Sequence, residues 1–96
     1  EDMAIDWTSS CHEINNFVRG LSPYPTAFTH LGEKTMRVYA VKIESGETLK
    51  SPGTYDTDHS TYLRFAAKDG WVYILDLQLE GKKRMPVGDF LRGFRG

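Results

Sequence analysis

Three histidines and one cysteine are the residues of this chain best suited to hold a metal or attack a substrate, and their placement argues against both. His12, His30 and His59 share no metal-ligand spacing with one another or with Cys11. Cys11 and His12 are adjacent in the first turn of a predicted helix, so their side chains diverge. A thiol near a helix N-terminus can ionise easily, but a small core thiol is the commoner role for a single cysteine. Gly81-Lys82-Lys83 has the look of a phosphate loop, yet position 76 is Asp where that loop needs Gly, and Lys83 stands where it needs Ser or Thr. Asp56 and Asp58 lie in a polar stretch without further carboxylates at ligand spacing, and no Ser-His-Asp set has a recognisable context. The residues describe a binding or structural module rather than a catalyst.

The charge distribution is more informative. Residues 1–80 carry seven Lys/Arg against twelve Asp/Glu, a net of −5. Residues 81–96 carry Lys82, Lys83, Arg84, Arg92 and Arg95 against Asp89 alone, a net of +4. A basic closing segment on an acidic body makes a local anion-attracting face, although a solvated terminus has the same composition.

The elements that must position this segment can be read from spacing. Ser10-Cys11-His12-Glu13 has the form of a capping box. Ile14, Phe17, Val18 and Leu21 follow at helical spacing, Gly20 offers a left-handed stop, and Pro23 prevents continuation. Residues 26–31 and 34–43 read as strands, with Met36, Val38 and Ala40 on one face of the second and Arg37, Tyr39, Val41 and Ile43 on the other. Breakers follow at residues 44–47 and 51–53. Asp69-Gly70 between two apolar runs predicts a tight hairpin. Trp71, Tyr73, Leu75, Leu77 and Leu79 alternate and are expected to line the core, and residues 87–92 form a short closing helix. About five short strands with these helices predict a mainly β fold, a small Greek-key barrel of the oligonucleotide-binding type.

Ninety-six residues fit one domain, 1–96. No apolar run approaches the roughly 18 residues of a membrane span and no signal peptide is visible, so no membrane contact is expected. A lone cysteine permits no internal disulfide and fits a reducing, cytoplasmic setting. The start at Glu1-Asp2 leads to the expectation of a piece of a longer protein.

Two segments resemble one family. Ile5-Asp6-Trp7-Thr8-Ser9-Ser10, continuing through Ile14, Arg19, Pro23-Tyr24-Pro25, Ala27 and Thr29, resembles the opening of the C-terminal domain of methionyl-tRNA formyltransferases. Leu77-Gln78-Leu79-Glu80-Gly81-Lys82-Lys83-Arg84-Met85, followed by Asp89-Phe90-Leu91-Arg92-Gly93, is similar to that domain's closing signature. Ser51-Pro52-Gly53-Thr54 matches its Pro-Gly loop. Two positions depart from the pattern. Thr26 stands where the family usually has Gly, so the turn after Pro25 is expected to differ. Residues 55–61 are unusually polar, so a strand there is expected to be short or missing.

The resemblance implies a parent enzyme with an N-terminal Rossmann-like catalytic domain. That domain would bind 10-formyltetrahydrofolate and use an Asn-His-Asp set to pass the formyl group to the methionine amine of initiator methionyl-tRNA. None of it lies in these residues, so the 96-residue chain is expected to be inactive and to hold no cofactor. The implied C-terminal domain is an open barrel that contacts the tRNA backbone. Backbone contacts need Lys and Arg, which makes Lys82, Lys83, Arg84, Arg92 and Arg95 the expected tRNA-binding residues; Arg92 and Arg95, three apart, would share a helix face. Arg19 reads instead as a partner of its own helix's C-terminal carbonyls, and Trp7 and Trp71 as core rather than base-stacking residues. Two other readings are a bracing domain without RNA binding, and the appended domain of a sugar-nucleotide or folate-linked formyltransferase.

Overall fold

The computed structural model describes residues 3–94. Its first helix, α1 (Cys11–Leu21), starts as its capping box predicts: the Glu13 amide donates to Ser10 Oγ at 3.1 Å, and the Ser10 amide donates to Glu13 Oε1 at 3.0 Å. Ile14 and Val18 form its buried stripe. The stop differs from expectation. Gly20 stays helical, and the chain leaves the helix through an extended Ser22 ahead of Pro23, because a residue preceding proline is pushed out of the helical region.

Six strands follow: β1 (Ala27–Leu31), β2 (Lys34–Ser45), β3 (Tyr55–Thr57), β4 (Leu63–Ala67), β5 (Gly70–Leu79) and β6 (Met85–Pro86), with α2 (Val87–Gly93) closing the chain. The strands pair antiparallel in the order β1-β2-β5-β4-β3, and β6 adds to β5. The fold is mainly β, a sheet curled into a half-barrel with one helix near each end of the chain. The outer edge of β1 is covered by residues 3–5, through Ile5 N–H to Phe28 O at 2.8 Å and Phe28 N–H to Met3 O at 3.0 Å. β3 has only three residues, the short strand expected from its polarity.

Strand β1 begins after an unusual residue. Thr26 has φ +80°, in the left-handed region that a β-branched side chain avoids. Its hydroxyl donates to Pro23 O at 2.5 Å and its amide to Leu21 O at 2.8 Å. These bonds hold threonine in a conformation natural to glycine.

The alternation in β2 and β5 breaks where the sheet bends. Val38 pairs with Leu77 and Val41 with Ile74, and the register shifts between them. Such an irregularity bends a strand and changes which residues face inward. Met36 and Val38 are therefore buried ahead of the break, while Val41 and Ile43 pack against the same core after it. In β5, Val72 and Ile74 are buried before the break and Leu77 and Leu79 after it. Leu75, expected in the core, falls on the break and is 43% exposed. Trp71 and Tyr73 are only half-buried. Leu77→Ala should cost about 2–5 kcal/mol and Leu75→Ala less than about 0.5 kcal/mol in urea melts. Equal costs would mean that the strand does not change phase.

The β4–β5 hairpin turns through Lys68 and Asp69, between paired Ala67 and Gly70. Asp69 Oδ1 accepts the Cys11 amide at 2.8 Å, which ties the hairpin to the start of α1. That amide is the main reason the Asp69 carboxyl lies below its usual range. Cys11 is fully buried, and burial, followed by its contact with Asp69, pushes its thiol from 9.0 up to about 11. It is an inert core residue at neutral pH.

Candidate nucleic-acid interface

The basic closing segment leaves the sheet as a structured turn. The Lys82 amide donates to Leu79 O at 2.9 Å, and Gln78 Nε2 donates to Lys82 O at 3.0 Å. Gln78 Oε1 accepts from the Tyr39 hydroxyl at 3.1 Å. Glu80 anchors the base of the turn to the β1–β2 hairpin: its amide donates to Thr35 O at 2.8 Å, and its Oε1 accepts the Thr35 amide at 2.9 Å.

The five expected cations do not behave alike. Lys82 and Lys83 are exposed and make no ion pair among the described residues. Arg84 donates twice to Asp76 Oδ2, at 2.7 and 3.0 Å, and its guanidinium lies 4.0 Å from the Tyr39 ring centre. Asp76 thereby holds that guanidinium above its usual range. Arg92 is paired with Asp89 one turn away on α2, with both side chains at least half exposed. Such a pair contributes little to stability and exchanges readily with another anion. Arg95 lies outside the described residues, so its expected alignment with Arg92 does too.

Other charged and aromatic groups are committed to the fold. Arg64 pairs with Asp56 at 2.8 Å, donates to the Tyr73 hydroxyl at 3.0 Å and covers the Trp71 ring at 3.9 Å, which removes Trp71 as a base-stacking platform. Asp58 accepts the amides of Ser60, Thr61 and Tyr62 and is held well below the usual carboxylate range, mainly by Thr61. Arg19 is exposed in the last turn of α1. Among the described residues, no three His, Cys, Asp or Glu side chains gather as a metal site.

Arg37 is not among the cations expected from the sequence, yet the structure sets it beside one of them. It is exposed and sits opposite Gln78 across the β2–β5 ladder, with Phe28 opposite it on β1. Its assignment to the face away from Met36 and Val38 was the available signal. Only the pairing of β2 with β5 brings it beside Lys82, where both line an open groove of about 370 Å³ with Thr35, Gln78, Glu80 and Gly81.

A curled antiparallel half-barrel with an exposed basic turn defines a small module of mainly β architecture. Residues 1–95 match the family model described as formyl transferase, C-terminal domain, and the chain belongs to that family. It is 42% identical over 100 residues to the methionyl-tRNA formyltransferase of Phocaeicola vulgatus and 44% identical over 95 residues to that of Geotalea daltonii, covering 99% of this chain in each case. It spans 31% and 30% of the length of those two relatives. Among solved structures, HypX from Aquifex aeolicus superposes with a TM-score of 0.66 at 19% identity, over 97% of this chain and 18% of HypX. That likeness is one of fold.

Proposed function

We propose that this chain is the tRNA-binding, non-catalytic C-terminal domain of a methionyl-tRNA formyltransferase. The parent enzyme would move a formyl group from 10-formyltetrahydrofolate to initiator methionyl-tRNA. Folate binding and chemistry would belong to its N-terminal catalytic domain, and this chain would orient the tRNA in the cytoplasm by gripping its backbone. The observation that carries the reading is the turn at residues 81–84, which holds Lys82 and Lys83 exposed and, among the described residues, outside any ion pair, on a backbone braced by Gln78 and Glu80. Phosphate contacts of this kind give affinity and orientation without base readout. Arg84 and Arg92 join the patch as exposed guanidiniums shared with Asp76 and Asp89, and Arg95 is assigned to it by sequence alone.

The test is tRNA binding across a salt series. The 96-residue chain should bind several tRNAs alike, with a dissociation constant on the order of 10⁻⁴–10⁻⁶ M near physiological salt. Replacing Lys82, Lys83 and Arg84 with alanine should lower affinity for all of them and flatten the salt dependence by roughly one unit per lost contact. In the full-length enzyme the same change should reduce kcat/KM for methionyl-tRNA and leave folate binding intact. Wild-type affinity and salt slope in that variant would make the domain a brace for the catalytic domain instead.

A further inference from the structure

We infer that the groove between Arg37 and Lys82 is a phosphate subsite, through which the RNA backbone passes from the sheet face onto the basic turn. The inference rests on the RNA-binding reading above and extends it to a residue outside the closing segment. The groove is lined from β2 by Thr35 and Arg37, from β5 by Gln78 and Leu79, and from the turn by Glu80, Gly81 and Lys82. Arg37 thus approaches it from a strand and Lys82 from the turn, and neither is in an ion pair among the described residues. Two cations outside any described ion pair, against one carboxylate beside the same depression, favour an anion there. A guanidinium also presents paired N–H donors that match phosphate oxygens.

Glu80 is the one acid among the described residues of the lining. Its Oε1 is engaged by the Thr35 amide at 2.9 Å, and against Arg37 and Lys82 it leaves the described lining with one net positive charge. The floor is preorganised as well, because both ends of the Gln78 amide are taken, by Tyr39 and by Lys82 O.

The occupant is the sugar-phosphate backbone of RNA rather than a base or a free nucleotide. No aromatic side chain lines the groove, and bases are held by stacking. Continuity points the same way. Lys82 also lines a second depression, with Met85, Asp89, Phe90, Gly93 and Phe94 at α2. Lys82 thus stands between two depressions, the second on the helix that carries Arg92, and neighbouring sites of this kind suit a polyanion better than a single small anion.

The experiment measures tRNA affinity against salt for the 96-residue chain, comparing Arg37→Gln, Arg37→Lys and Lys42→Gln with wild type. Lys42 is an exposed β2 residue paired with Tyr73, outside the groove. Arg37→Gln should weaken binding several-fold and lower the salt slope by about one unit. Arg37→Lys should keep the slope, and Lys42→Gln should change neither quantity. Arg37 is exposed, so the amide spectrum of each variant should stay native. If Arg37→Gln behaves like wild type while the Lys82/Lys83/Arg84 variant loses affinity, the groove proposal fails and the RNA reading stands. If the wild-type chain binds no tRNA, both fail. If inorganic phosphate displaces tRNA far better than chloride at matched ionic strength, the groove is a free-anion site and the backbone assignment is overturned.

Discussion

Gly70→Ala is expected to destabilise this domain by about 3 kcal/mol, the upper end of the usual cost of overpacking. A methyl group at Gly70 would come within 2.3 Å of the Glu44 carbonyl oxygen, 2.9 Å of Ser45 Cα and 2.9 Å of Cys11 Sγ. Two of these are backbone atoms of the β2 strand paired with Gly70, and the third is the buried thiol of α1. None is the free end of a flexible side chain, so strand or helix must move. The helix start is also tied to the hairpin by the Asp69–Cys11 hydrogen bond, so a shift would disturb both contacts. Gly88→Ala in α2 is the control: nothing lies within 4 Å of its added methyl, and alanine in place of a helical glycine should stabilise by about 0.5–1 kcal/mol. Urea melts of the two variants check this. A Gly70→Ala cost under about 0.5 kcal/mol would mean that the hairpin and helix are not in contact as described.

Trp7→Ala should cost about 3 kcal/mol, the low end for truncating a large aromatic, because Trp7 is only half-buried. Its ring stacks on Phe65 with centroids 4.7 Å apart and planes 5° from parallel. Its indole N–H donates to Thr29 Oγ1 at 2.9 Å, and Thr29 is 7% exposed. Truncation removes the stack and leaves a buried hydroxyl without its donor. Trp7→Phe keeps the stack and should cost about 1 kcal/mol. Thermal melts followed by circular dichroism separate the two. Equal small losses would mean that Trp7 lies on the surface.

Trp7 also explains why residues far apart in the chain carry the family resemblance. Trp7 comes from the opening segment, Thr29 from β1, and Gly53 from the Pro-Gly loop, where an added methyl would lie 3.5 Å from the indole. These signature positions meet around one ring. They hold the fold together.

The amino-acid sequence alone determined what depends on neighbours along the chain. The capping box at Ser10, a hairpin between β4 and β5 signalled by Asp69-Gly70 (the turn itself falls one residue earlier, at Lys68 and Asp69), the short β3, the closing helix after Pro86 and the concentration of cations after position 80 all follow from local spacing and composition. The tertiary structure decided what depends on partners distant in sequence. The break opposite Val38 and Val41 reversed the phase of two strands at once, so Leu75 left the core while Val72 and Ile74 entered it; a period-two pattern carries no mark of where a curled sheet must bend. Asp76 on β5 took up Arg84 beyond the turn, and the β2–β5 pairing set Arg37 beside Lys82. A count of charges cannot anticipate these pairings, because which cations remain free depends on which acids the strand register and helix turn bring within reach.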